Sequence, residues 1–255
     1  MIKIKRPEEI EKMRVSGGIV AWTLAELTRA IVPGKTTTDE LNRLAERLLA
    51  EAGAAASFKG YRGYPATICA SVNEEVVHGI PSPRVLQPGD ILGIDLGAIK
   101  NGYHGDGAVT VPIGEISDEA RRLLRVTREA LFKGIEQARP GKRIGDIGSA
   151  IQRHAESHGY SVVRDLVGHG IGRDMHEDPQ TPNYGKPGEG VWLKEGMTLA
   201  IEPMVNIGGY AIETLADHWT IVTRDRSLSA HFEHTVAITA KGPDILTLPP
   251  TGEAT

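Results

Sequence analysis

The chain has 255 residues, enough to bury a full core as one large domain or as two coupled halves. With 40% apolar and 24% charged residues it has the composition of a soluble globular protein, and its net charge of -4 excludes a general pull toward nucleic acid or anionic membrane. A lone cysteine excludes an internal disulfide, the start MIKIKRPEEIEKMR has no apolar export core, and no run approaches the ~18 residues of a membrane span, so a cytoplasmic protein is expected.

Taken in order, Pro7 to Ile31 reads as a helix with Pro7 in its first turn and Ile10, Met13, Trp22, Leu24, Leu27 and Ile31 as its apolar marks. Pro33-Gly34 ends it. A second helix starts at Thr37 as N-cap, with Glu40 as the reciprocal partner of a capping box, and runs through Leu41, Leu44, Leu48 and Leu49 to Gly53. Residues 58 to 81 are aromatic and turn-rich at first, then strand-like from Ala66 to Val72. Glycine, 30 of 255 residues or about 12% against a usual ~7%, argues for many turns and hairpins.

The stretch from Leu86 to Val111 reads as two apolar strands joined by a tight turn at Asn101-Gly102, a dipeptide suited to the positive φ angles of a two-residue hairpin loop. Asp95 sits amid Ile91, Leu92, Ile94 and Leu96, and Asp106 opens the returning strand Ala108 to Val111. With that turn, residue 106 faces residue 97, and the period of two sets Asp95 and Asp106 on one face as diagonal neighbours. Taken alone, one aspartate could cap the turn and the other lie solvated at a strand end. Two buried like charges that close need a cation.

After Ser117, another N-cap, the series repeats: a helix from Asp118 to about Ala138, then one from Asp146 to about Ser157. Pro33-Gly34-Lys35 matches Pro140-Gly141-Lys142 and Asp39 matches Asp146, each 107 positions on. At the same offset Gly89 falls on Gly196, Leu92 on Leu199, Ile94 on Ile201 and Asp95 on Glu202. His104-Gly105-Asp106 resembles His231-Phe232-Glu233, a carboxylate two residues after a histidine beside an apolar strand. Two copies exclude a solenoid and suggest two halves, about 7–115 and 118–242, related by an approximate twofold, with joined curved sheets and helices outside. Symmetry would bring Asp95/Asp106 and Glu202/Glu233 face to face; two divalent cations would cancel their charge, which implies a dinuclear site.

Val167-Gly168-His169-Gly170-Ile171-Gly172 offers a fifth ligand, His169, although a glycine turn with an incidental histidine or a truncated nucleotide loop would look alike. One imidazole among oxygen donors suits manganese or ferrous iron, with cobalt or zinc as substitutes in vitro. Two such ions make water reactive and clamp the oxygens of a tetrahedral intermediate, which is hydrolytic machinery. His78 and His176 share a His-x-x-Pro shape, one in each half. His154 and His158 fit a solvated helix face, while His104, His218, His231 and His234 read as supporting or merely strand residues.

Asp95, Asp106, His169, Glu202 and Glu233 in this order, with HGIP, GHGIG and the IEP of Ile201-Glu202-Pro203, resemble the methionine aminopeptidase family across essentially the whole chain. The resemblance implies the pita-bread α/β fold in a single catalytic domain, and removal of the initiator methionine from nascent chains whose second residue is small. The lack of a zinc-binding extension and of a long insertion between Asp106 and His169 resembles the short bacterial-style type I form. It further implies that Asp106, His169, Glu202 and Glu233 hold one metal, and Asp95, Asp106, Glu202 and Glu233 the other. Glu202 would shuttle a proton, His78 would stand near the scissile amide nitrogen, and His176 would hydrogen-bond the carbonyl oxygen. The methionine pocket would use Phe58, Tyr61, Tyr64, Cys69, Met175 and Trp219, soft and aromatic groups suited to a thioether. At Phe58 and Met175 this chain departs from many bacterial relatives, which carry cysteine and phenylalanine there. A monomer with a ribosome contact is the expected partner state. The alternatives are an X-Pro peptidase on the same fold, which usually has an additional N-terminal domain, and a metal-free binding module, whose mark would be lost ligands.

Overall fold

A computed structural model describes residues 1–248. Helix α1 (Pro7–Ala30) and helix α2 (Thr38–Glu51) lie where the apolar spacing predicts them. Thr37 Oγ1 accepts the Glu40 N–H at 3.2 Å and the Glu40 carboxylate accepts the Thr37 N–H at 2.8 Å, which completes the capping box. Short strands β1 (Ala55–Ala56), β2 (Ile68–Val72) and β3 (Glu75–Val77) precede the long hairpin of β4 (Ile91–Lys100) and β5 (Tyr103–Pro112). Its turn residues have φ of 55° at Asn101 and 75° at Gly102, as a primed turn requires. Register pairs Gly97 with Asp106 and Asp95 with Ala108, so the diagonal placement of the two aspartates holds. Asp106 does not open its strand, however. β5 already begins at Tyr103, because pairing is continuous from the turn.

Helices α3 (Asp118–Ile135) and α4 (Ile144–Ser157) repeat the first pair. Ser117 Oγ accepts the Ala120 N–H, and α4 starts two residues before Asp146, whose carboxylate reaches back to the Arg143 N–H at 2.7 Å. Then come β6 (Ser161–Val162), β7 (Gly168–Gly170), β8 (Glu177–Thr181), β9 (Thr198–Ile201), β10 (Met204–Asn206), β11 (Ile212–Thr214), β12 (Ile221–Thr223), β13 (Ser229–His231), β14 (Glu233–Thr239) and β15 (Gly242–Ile245).

The main sheet runs β1-β4-β5-β14-β9-β7-β8, with β2 added to β4 and β15 to β14, and its pairings are antiparallel. The central pair joins the halves: Glu233 lies opposite Ala108 and His234 opposite Gly107. The second half departs from the expected doubled hairpin. β9 and β14 pair directly, but the segment between them carries β10 to β13, which form two small sheets of their own with β3 and β6.

Two apolar layers sit between helices and sheet. Leu24, Leu27, Leu41 and Leu49 pack with Ile68, Leu92 and Ile94, while Leu123, Val126, Ile147 and Ile151 pack with Leu199, Ile201 and Val236. Helix α1 rests almost directly on β5: a Cβ at Gly105 would stand 2.6 Å from the Gly17 nitrogen, and one at Gly17 would stand 2.2 Å from the Leu246 carbonyl oxygen. Gly105→Ala is therefore expected to lower stability by about 1–3 kcal/mol, as overpacking against backbone does. Urea unfolding checks this; an unchanged midpoint would show that α1 can shift freely.

Candidate metal centre and active site

The sheet centre gathers the acidic residues. Asp106 on β5 and Glu233 at the start of β14 are each 3% exposed, and His169 on β7 is 7% exposed. Each of these three offers a ligand atom within 4.8 Å of the other two. Glu202, just past β9, places Oε1 3.6 Å from His169 Nε2, and its side chain keeps 16% exposure. Asp95 on β4 completes the set. Burial, then Asp106 and Glu202, pushes the Asp95 carboxyl well up. Burial, then Asp106, does the same to Glu202, and Glu233 is raised by burial and by all three other carboxylates. Asp106 is pushed up to about 7 by burial, despite accepting the Gly107 N–H.

Two carboxylate oxygens of this set, Asp95 Oδ1 and Glu233 Oε1, are buried with no hydrogen-bond partner among the described residues. Unpaired anionic oxygens in a dry interior are costly, and cations are what they lack. The donor set is four carboxylates and one imidazole. His169 Nδ1 donates to the Gly170 carbonyl at 2.8 Å, which leaves Nε2 with its lone pair toward Glu202. The residues thus fit hard or borderline divalent ions.

The two other histidines face the same region. His176 stacks near His169, ring centroids 4.2 Å apart, and its Nδ1 lies 2.8 Å from the Tyr61 hydroxyl. Burial, then His169, holds it down to about 3, so the ring is neutral. His78 has φ of 60°, a left-handed conformation that is strained for a non-glycine residue and common at functional sites. Its loop is pinned at Gly79, whose carbonyl accepts the Tyr64 hydroxyl at 3.0 Å and whose N–H donates to Ser71 Oγ at 3.1 Å.

Phe58, Tyr64, Cys69 and Met175 form one buried cluster with Ala66, edged by Tyr61, Ile80 and Trp219. Tyr64 meets Trp219 edge-on at 5.1 Å, and His78 meets it at 6.4 Å. Cys69 is the register partner of Asp95, so the cluster adjoins the carboxylates one strand away. Burial, then Asp95, pushes the Cys69 thiol up, and it remains a neutral, soft wall.

Sequence reasoning missed several members. Thr235 Oγ1 accepts the Asp106 N–H at 3.0 Å and donates to its carbonyl at 2.8 Å, clipping β5 to β14 at the cluster. Buried Asn183 donates to the Glu202 carbonyl at 3.0 Å. Neither carries a local signal, since each acts across long sequence separation. His231 comes within 3.9 Å of Glu202. His104 instead pairs with Ser57 and His234 with Thr247, and His218 lies in a turn. His154 and His158 are not on a solvated face: both are half-buried at the seam of α3 and α4, where His154 bonds Glu129.

The loop that carries His176 is held by the amino-terminal arm. Extended chain sets residues 1, 3 and 5 on one side, and there the Met1 ammonium meets Asp178 at 2.6 Å, Lys3 meets Asp174 at 2.5 Å, and Lys5 meets Glu177 at 2.6 Å. Only the last pair is buried, with side chains 5% and 2% exposed. Burial raises the Glu177 carboxyl, but Lys5 and neighbouring donors pull it below its ordinary range. Lys5→Met removes the buried partner while Lys3 and the Arg173 and Asp174 N–H groups stay on Glu177, and is expected to cost about 2 kcal/mol, the scale of one charge-assisted bond, with Lys5→Arg recovering most of it. Urea unfolding of both variants measures the cost.

Residues 11–240 match the model of metallopeptidase family M24. A methionine aminopeptidase of Clostridium acetobutylicum is 58% identical over 249 residues, covering 97% of this chain and 99% of that protein. Methionine aminopeptidase 1 of Bacillus subtilis is 56% identical over 247 residues, with the same coverage. The crystal structure of a methionine aminopeptidase from Thermotoga maritima superposes with a TM-score of 0.95 at 50% identity, covering 97% of this chain and 100% of that one. The shared curled antiparallel sheet with outer helices is the pita-bread arrangement, and by both sequence and architecture the chain belongs to metallopeptidase family M24.

Proposed function

We infer that this chain hydrolyses the first peptide bond of polypeptides that begin with methionine and carry a small second residue, with divalent metal ions as cofactors. The observation that carries this reading is the adjacency of a soft, aromatic cluster to the carboxylates through the Cys69/Asp95 pairing. An unbranched thioether fits a wall of Phe58, Tyr64, Cys69, Met175 and Trp219. The bond one residue onward then lies at the acidic groups.

Asp106, His169, Glu202 and Glu233 would hold one ion, and Asp95 with Asp106, Glu202 and Glu233 a second. Manganese or ferrous iron suits this donor set, with cobalt or zinc as substitutes. When bound, such ions lower the pKa of water and stabilise the charge of a tetrahedral intermediate. Glu202 keeps partial solvent access, and it takes a proton from the attacking water and delivers it to the leaving nitrogen. If the Tyr61 hydroxyl donates to His176 Nδ1, that ring carries its proton on Nε2 and donates it to the substrate carbonyl oxygen. His78, neutral through burial, orients the amide nitrogen. The chain acts as a monomeric single catalytic domain in the cytoplasm on nascent amino termini, with the ribosome as the place where they appear.

The test is release of methionine from Met-Ala-Ser by protein reconstituted anaerobically with manganese or ferrous iron, alongside elemental analysis and a Xaa-Pro peptide. Faster cleavage of the Xaa-Pro peptide would replace this reading with the X-Pro peptidase. No hydrolysis of either peptide would leave a binding module on the same fold.

A further inference from the structure

Outside the carboxylate cluster, the outer helical layer brings together a second set of metal-ligating side chains. Glu129 comes from α3, His154 from the last turn of α4, and His158 from the residue that caps α4. The two histidines are four residues apart and so neighbours along the helix surface. One ligand atom from each of the three residues lies within 4.8 Å of the other two. His154 Nε2 stands 3.0 Å from Glu129 Oε2, and the imidazole centroids are 4.6 Å apart.

The tautomer of His158 is set by its backbone. Its Nδ1 lies 2.8 Å from the His154 carbonyl oxygen, which can only accept, so Nδ1 carries the proton and Nε2 the lone pair. That Nε2 has no hydrogen-bond partner among the described residues, and a ring nitrogen held by a carbonyl with the other nitrogen free is the arrangement of a ligating histidine. The C-terminal end of α4 adds partial negative charge. Two guanidiniums act against a cation. Arg125 holds Glu129 Oε1 at 3.1 Å and Arg122 donates to the His158 carbonyl at 2.9 Å, yet Glu129 Oε2 stays turned to His154.

We propose that Glu129, His154 and His158 form a separate mononuclear site for a divalent ion of the zinc, nickel or copper class. Two imidazoles and one carboxylate are softer than the oxygen-rich central cluster, and three protein ligands leave the remaining positions to water. The bound ion ties the end of α4 to α3, and the protein's metal content then exceeds what hydrolysis uses. The site stands independently of the hydrolytic reading.

Chelator-stripped full-length protein is titrated with zinc in equilibrium dialysis, and with copper(II) under electron paramagnetic resonance. The central cluster has His169 and, 3.9 Å from Glu202, His231, so two-nitrogen coupling is assigned to the peripheral site by its loss in His158→Ala. The expected result is one zinc equivalent fewer in His158→Ala than in the parent, with zinc affinity at this site at least about tenfold weaker in Glu129→Gln. An Asp106→Asn/Glu233→Gln protein is expected to keep the two-nitrogen copper signal, and adding His158→Ala to abolish it. Methionine release from Met-Ala-Ser with manganese stays at the parental rate in His158→Ala. Zinc uptake equal to the parent in both single variants, or a copper spectrum without two-nitrogen coupling, overturns the proposal.

Discussion

Glu202→Gln is expected to fold and to melt near the parental temperature, yet to turn over Met-Ala-Ser roughly a thousandfold more slowly, the scale of general acid and base catalysis. The amide matches the carboxylate in shape, and the Asn183 contact to the Glu202 carbonyl involves only backbone on that side, so the local chain is retained. What disappears is proton affinity: an amide oxygen cannot accept the water proton and pass it on. Turnover is measured at saturating manganese, so that weaker metal binding does not enter the comparison. Activity within tenfold of the parent at full metal content would take the proton transfer away from this residue.

Asp106→Asn should act in opposite directions with and without metal. After burial, Asp106 is the largest cause that raises Asp95, Glu202 and Glu233, and burial holds its own proton up to about 7. In metal-free protein the folded state therefore keeps protons that the unfolded chain releases near pH 4. At this group the folded state binds more protons over that interval, so the stability that Asp106 contributes to metal-free protein falls as pH rises from about 4 to about 7. In chelator, the parental melting midpoint should fall relative to that of the asparagine variant as pH rises from 5 to 7.5, because the variant has no proton to release at this position. With manganese added, the parent should gain stability in proportion to affinity, and the variant little. Manganese uptake by Asp106→Asn equal to the parent would remove Asp106 from the ligand set.

How much of this was legible in the chain depended on the range of each contact. The hairpin could be read at Asn101-Gly102 because two residues determine such a turn, and the 97 to 106 pairing followed from the period of two. The correspondence of Asp95 with Glu202 was visible as a repeat, and both ends meet at the same cluster. Symmetry in the sequence brings the two carboxylate pairs face to face but does not show the direct pairing of β5 with β14, and the strands inserted between Glu202 and Glu233 break the expected second hairpin. Periodicity reports neighbours within a few positions and is blind to such insertions. The pocket residues came from family resemblance, since Phe58, Cys69, Met175 and Trp219 belong to four separate segments with no pattern linking them. His154 and His158 looked solvated because one helix face was visible in sequence, whereas Glu129 on the neighbouring helix was not.

The arm that leads into α1 has a practical corollary for handling the protein. Met1 lines a cavity of about 480 Å³ together with Arg62, His169 and His176, and its ammonium pairs with Asp178 in full exposure, a contact of little energetic weight. An affinity tag fused ahead of Met1 would leave the fold standing on the Lys5 pair while starting at the lip of that cavity, beside His169 and His176. A handle there would crowd two histidines of the site, so KM values from amino-terminally tagged material are to be compared with those of untagged protein.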